Sequence, residues 1–190
     1  ATPSDSLTSA KFVKALGLRK EFVWNHPHKV EITKKIIEAR KDKKIITFSQ
    51  TKAMAEAVGY GDVMHSGQTK KKREQIMEAF NIAKTGVINS AKALERGADI
   101  ENLSVGINQA FNSAKIAKTQ KSGRIGRKEG DKEAEMYTLL LKGTMEEAWY
   151  DKSMKGTQYI TINERELDAL LAGEDYKQVK EKQKEWLFTI

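Results

Sequence analysis

Lys43-Lys44-Ile45-Ile46-Thr47-Phe48-Ser49-Gln50-Thr51, continuing as Lys52-Ala53-Met54-Ala55-Glu56-Ala57-Val58, is the stretch on which the fold turns. Ile45 to Phe48 is a β-branched and aromatic run of the kind that fills a buried strand. Ser49-Gln50-Thr51 is polar, and Ala53, Met54, Ala57 and Val58 then recur at helical spacing. The stretch therefore reads strand, polar turn, helix, with Gly59 and Gly61 ending the helix. The same order recurs downstream. Asp62-Val63-Met64 is a second strand, His65-Ser66-Gly67 is the loop at its carboxyl end, and Thr69 caps a helix with Ile76, Met77, Ala79 and Phe80 on its apolar side. Gly86 to Asn89 and Ser104 to Asn108 give a third and a fourth strand.

Alternating strands and helices predict an α/β domain with a mainly parallel central sheet and helices on both faces. Ligands of such sheets bind at the carboxyl ends of the strands. Each polar cluster here follows a strand end: Ser49-Gln50-Thr51, His65-Ser66-Gly67, Asn89-Ser90, and Asn108 onward to Arg127. One shared site is expected there. Upstream, Ser6 to Leu16 predicts a short helix ended by Gly17. Val30, Ile32, Ile36, Ile37 and Ala39 then predict an amphipathic helix over 28–40, with Lys29, Lys34 and Lys35 on its wet face. Downstream, Ala134 to Leu141 reads as a strand and Gly143-Thr144 as the opening of a helix to about Met154. Tyr159 to Ile162 reads as an edge strand, Asn163 as the cap of a helix to Leu171, and Glu174 to Trp186 as a charged helix. This divides the chain into a helical lead-in (1–42), the main domain (43–162) and a helical extension (163–190).

The 190 residues carry 34 Lys and Arg against 26 Asp and Glu, a net charge of +8 that favours polyanionic partners, nucleic acid first. There is no cysteine, which excludes disulfides and thiolate metal sites. His26, His28 and His65 have no ligand spacing with carboxylates, so no metal site is expected. No apolar run approaches a membrane span and no signal peptide opens the sequence, so no membrane partner is expected. The lack of an initiator Met makes the stretch read as part of a longer protein.

Gln120-Lys121-Ser122-Gly123-Arg124-Ile125-Gly126-Arg127 holds two arginines three residues apart, each preceded by glycine. Arginine offers a planar fork that matches phosphate oxygens, and glycine keeps backbone bulk out of the approach. Together with the strand ends, this stretch resembles the second RecA-like domain of superfamily 2 helicases and translocases. Ile45 through Ala55 resembles motif IV. His65-Ser66-Gly67, with Arg73 and Phe80, resembles the element that follows it. Ser90 through Leu94-Glu95-Arg96-Gly97-Ala98-Asp99-Ile100 resembles motif V, and Gln120 through Arg127 resembles motif VI. The four stand in the family's order over residues 43–142. Lys121 departs from the usual arginine, and Glu101 from a frequent proline. Neither G-x-x-x-x-G-K-[ST] nor a D-E-x-H-type run occurs in these residues.

The resemblance implies a RecA-like three-layer domain acting as the C-terminal lobe of an ATP-dependent helicase or translocase. Arg127 would be the finger on the γ-phosphate, Arg124 would bond phosphate beside it, and Gln120 would sit near the phosphates or the attacking water. Asp99 would accept from the ribose hydroxyls, with Gly97 and Gly123 permitting the turns. ATP with Mg2+ would be held mainly by an N-terminal RecA-like lobe of the same protein, and this chain alone would be inactive. Nucleic acid, DNA ranked ahead of RNA, would run over Gln50, Thr51, Gly67 and Ser90. Lys115 and Lys118 join these as candidates on charge and location. A cytoplasmic enzyme of bacterial or viral type is expected. The alternative from another class is a non-catalytic nucleic-acid-binding or regulatory module that has kept the fold.

Overall fold

A computed structural model describes residues 3–92, 103–110, 135–155 and 159–175. Within it, α1 (Pro3–Trp24), α2 (Pro27–Ala39) and α3 (Lys52–Ala57) are followed in chain order by α4 (Lys70–Ile82), α5 (Met145–Ser153) and α6 (Glu164–Leu171). The strands are β1 (Lys44–Ser49), β2 (Asp62–His65), β3 (Gly86–Ala91), β4 (Val105–Asn108) and β5 (Glu135–Thr138). They form one sheet in the order β2-β3-β1-β4-β5, and every ladder is parallel. The expected α/β class is present, with five of the six expected strands. β1 is central because it is apolar on both faces: Ile45 and Ile46 are fully buried, and Ile46 packs with Met64, Ile76, Phe80 and Ile88. Phe48 packs against that cluster as a core residue.

Local chemistry sets the element ends. Thr51 and Thr69 cap α3 and α4, their hydroxyls accepting from the amides of Met54 and Lys72 at 3.2 Å each. Gly61 has φ +66°, and a Cβ there would lie 2.0 Å from the Val87 carbonyl oxygen, so the turn into β2 admits no side chain. Lys44 Nζ donates to Asn81 O at 2.8 Å, placing a cation on the negative end of α4.

Three expectations are corrected. α1 does not stop at Gly17 but runs on to Trp24, because a single mid-helix glycine costs only about 1 kcal/mol against a long run of helix-compatible residues. Lys29 is not on the wet face of α2. It is 4% exposed, and its Nζ sits 2.8 Å from both carboxylate oxygens of Glu146, itself 1% exposed, on α5. Tyr159 to Ile162 forms no strand. Tyr159 and Ile160 are exposed there, and the run leads directly to Asn163. Asn163 opens α6 with a reciprocal capping box to Glu166, in the smaller compact unit that spans residues 154–190. No helix of the described residues is long and apolar enough to cross a membrane.

At the amino end of the sheet, Glu135 accepts from Arg40 Nε at 2.9 and 3.0 Å, from Lys43 Nζ at 2.6 Å and from the Tyr137 hydroxyl. Burial works against the Glu135 charge, but the hydrogen bonds from Lys43, Tyr137 and Arg40 outweigh it and hold the carboxyl below its ordinary range. The folded value is therefore lower than the unfolded one, near 4.3. The resulting stabilisation is complete above about pH 4.3 and is lost as pH falls through the folded value. A Glu135→Gln variant should melt earlier than wild type at pH 7, and the gap in melting temperature should close towards pH 2. A gap that stayed constant across that range would remove Glu135 from the acid response.

Candidate nucleotide and nucleic-acid face

The parallel register brings the polar exits of β1, β2 and β3 to one end of the sheet. Ser49 lies opposite Ala91 and His65 opposite Ala91 on its other side, so the loops after β1 and β2 flank the end of β3. A direct link ties the first and third exits: Ser49 Oγ lies 3.2 Å from Thr51 O and 3.3 Å from Ser90 O. The β4 exit joins them through Gln109, whose amide donates to Phe48 O at 2.9 Å. Gln50, Thr51 and Gly67, which follow their strands, and Ser90, the last residue but one of β3, therefore share one end.

They do not present the same groups. Gly67 is exposed, and its amide donates to His65 Nδ1 at 3.2 Å. A Cβ there would sit 3.1 Å from that same nitrogen, so the loop is shaped around glycine. The Thr51 hydroxyl caps α3 and also donates to Asn25 Oδ1 at 2.8 Å, leaving it partly buried. Gln50 and Ser90 are buried, at 9% and 2% exposure, beneath the rim. Asp99, Gly97, Lys115, Lys118, Gln120, Gly123, Arg124 and Arg127 lie outside the described residues.

Further residues shape this end, Gln68 and Lys92 among them without any mark in the sequence pattern. Gln68 braces the β2 exit from both sides, its Nε2 donating to Val63 O at 3.0 Å and its Oε1 accepting from His65 N at 3.1 Å. Arg73 Nη1 approaches Ser66 O at 3.5 Å, rather than pairing with Glu74 or Glu78. Lys92 leaves β3 at φ +57°, a left-handed conformation uncommon for a lysine, and is exposed. Lys71 and Lys72 are exposed at the start of α4, whose amino end opens at the same end of the sheet as α3. Two positive helix termini with Lys52, Lys70, Lys71, Lys72 and Lys92 make an electropositive rim. Lys52 and Lys70 are partly neutralised, at 3.4 and 3.6 Å from Glu56 and Glu74. The exposed ammonium groups of Lys71, Lys72 and Lys92 suit phosphate oxygens. Among the described residues, no His, Cys, Asp and Glu group could hold a metal ion. An apolar cleft of about 260 Å³ between α1 and α5, walled by Trp24 and Trp149, includes none of the strand-end residues.

An all-parallel sheet with this strand order, and a phosphate-compatible rim at its carboxyl end, defines a RecA-like lobe. Residues 28–129, more than half of the chain, match the helicase conserved C-terminal domain, and the chain belongs to that family. A protein of Methanocaldococcus jannaschii named as an ATP-dependent RNA helicase is 31% identical over 156 residues, covering 75% of this chain and 19% of that protein. The DNA 3'-5' translocase XPB2 of Sulfurisphaera tokodaii is 29% identical over 123 residues, covering 63% of this chain and 28% of that one. The chain thus spans between about a fifth and about three tenths of the length of these relatives. Among solved structures, the C-terminal domain of Saccharomyces cerevisiae Dbp5, bound to Gle1 and IP6, shares the fold with a TM-score of 0.61 at 18% identity. That match covers 83% of this chain and 94% of the other.

Proposed function

We propose that this chain is the C-terminal lobe of an ATP-dependent helicase or translocase, which grips nucleic-acid backbone at its strand ends and reaches into a shared ATP site with its arginines. The observation that carries the reading is the gathering of the β1, β2 and β3 exits under one lysine rim. Movement along a strand needs contacts that ignore sequence, and backbone amides, hydroxyls and lysines on phosphates supply them. Gly67 keeps side-chain bulk off the surface, Lys71, Lys72 and Lys92 supply charge, and Thr51, Ser90 and Gln50 shape the floor.

In this proposal ATP with Mg2+ is held mainly by the N-terminal lobe of the same protein. ATP supplies the phosphoryl group whose hydrolysis drives opening and closing of the two lobes. Arg127 and Arg124 donate to phosphate oxygens from the facing side, Gln120 orients the attacking water, and Asp99 accepts from the ribose hydroxyls. Arginine in that role stabilises charge that grows as the terminal bond breaks, and it withdraws when the lobes part.

The test is ATP hydrolysis by the intact protein without nucleic acid and with single-stranded DNA, duplex DNA or RNA in parallel. Stimulation by at least one of the three is expected, with single-stranded DNA ahead of RNA. Hydrolysis indifferent to all three defeats the proposal, and stimulation by RNA alone reassigns the substrate.

A further inference from the structure

We propose that the apolar cleft between α1 and α5 is a second nucleic-acid site, which takes one unstacked base of the strand held at the lysine rim. The proposal rests on the helicase reading above.

The cleft holds about 260 Å³, and its walls include Trp24 and Trp149, both half-buried, with Leu16 and Met145 41% and 46% exposed. That volume lies just under the range of about 300–1,000 Å³ found for small-molecule pockets, so it suits a single flat ring system. An indole offers a face on which any base can stack. Two cations complete the lining. Arg19 and Lys20 are exposed, and Lys20 Nζ lies 5.9 Å from the centre of the Trp149 ring. Aromatic faces beside positive charge match a base and its phosphate, whereas the centre of a protein–protein contact is depleted of charge. Glu146 also lines the cleft, but it is 1% exposed and neutralised by Lys29, so it does not repel a phosphate.

Trp24 adds an independent observation. Its Nε1 is buried without a hydrogen-bond partner, although a buried indole N–H usually has one. The edge of a base offers the oxygen or ring-nitrogen acceptor that this donor lacks. The cleft also adjoins the rim. Asn25, the residue after Trp24, accepts from the Thr51 hydroxyl at 2.8 Å, and Thr51 stands just beyond the end of β1. On the other side, α5 follows the carboxyl end of β5. A strand gripped at Thr51 passes within one residue of the first indole, where a base can turn out of the stack and enter. Because every base has a π-face, this hold ignores sequence, as movement along a strand requires.

The experiment uses the intact protein and a fluorescent single strand of the type that stimulates its ATP hydrolysis. A second strand of equal length carries the sugar-phosphate backbone without bases. Affinity by fluorescence anisotropy and melting temperature are read for wild type, Trp149→Leu and Trp149→Phe. Wild type should prefer the strand with bases. Trp149→Leu should bind that strand about five- to a hundredfold more weakly, with its affinity for the base-free strand unchanged. Trp149→Phe, which keeps a flat face, should retain most of the affinity. In wild type, a strand carrying 5-iodouracil should photocrosslink to Trp24 or Trp149, as mapped by mass spectrometry, a readout that needs no variant to fold. Unchanged affinity of Trp149→Leu for both strands, an equal loss on both, or crosslinks that avoid both tryptophans overturns the base site alone. Wild-type hydrolysis that no nucleic acid stimulates removes the helicase reading and this site with it.

Discussion

Replacing Arg127 with alanine in the intact protein is expected to lower nucleic-acid-stimulated ATP hydrolysis by about 10³- to 10⁵-fold, the range over which an arginine finger acts. Binding of nucleic acid should persist, because the strand-end rim and its lysines are on other parts of the chain. Arg124→Ala should show a smaller loss, since that residue is proposed to bond phosphate beside the finger. Lysine at position 127 should rescue poorly: it keeps the charge but not the planar fork. The measurement is steady-state turnover beside a binding titration. Arg127→Ala turning over within a few fold of wild type would sink the finger assignment.

The second large effect concerns stability. Lys29 and Glu146 form a buried pair with both carboxylate oxygens 2.8 Å from the ammonium nitrogen, and Glu146 Oε2 also accepts from Leu141 N at 3.0 Å. Burial lowers the Lys29 pKa and the Glu146 carboxylate opposes that fall. Lys29→Met leaves a charged carboxylate in the interior without its partner. Breaking such a pair from one side costs about 3–5 kcal/mol, or roughly 6–20 °C in melting temperature for a chain of this size. Adding Glu146→Leu should recover most of the loss, because an apolar pair of similar volume needs no desolvation. Chemical denaturation of wild type and the two variants checks this. A Lys29→Met loss below about 1 kcal/mol would mean that water reaches the pair.

Lys29 also shows where sequence reading stops. Helical periodicity treats a lysine as solvent-facing, and the partner that buries it stands 117 positions away. Gln109 was equally silent, one polar residue among several before Arg127. The strands were legible because Ile45-Ile46 and Ile88 need burial on both faces and glycines punctuate the turns between them. Gly17 misled because glycine is a weak breaker within a long helix, and Tyr159 to Ile162 misled because β propensity depends on packing context more than on the residues themselves. The strand-end cluster followed from topology alone: a parallel sheet must gather those exits. Which of them would be exposed did not follow: Gln50 and Ser90 are buried, whereas Gly67 and Lys92 are exposed.

The strand order also dictates when the domain can assemble. β1 is made first of the five, yet both its neighbours come later: Ile45 waits for Val87 on one flank and for Val105 on the other. Among the described residues no two strands adjacent in sequence form a hairpin, and each parallel ladder closes only after a crossover has been synthesised. Maturation is therefore late and non-local, and slow beside a helical bundle of equal length. A nascent chain halted before Gly86 would carry Ile45 and Ile46 on two bare edges, the kind of surface that chaperones shield.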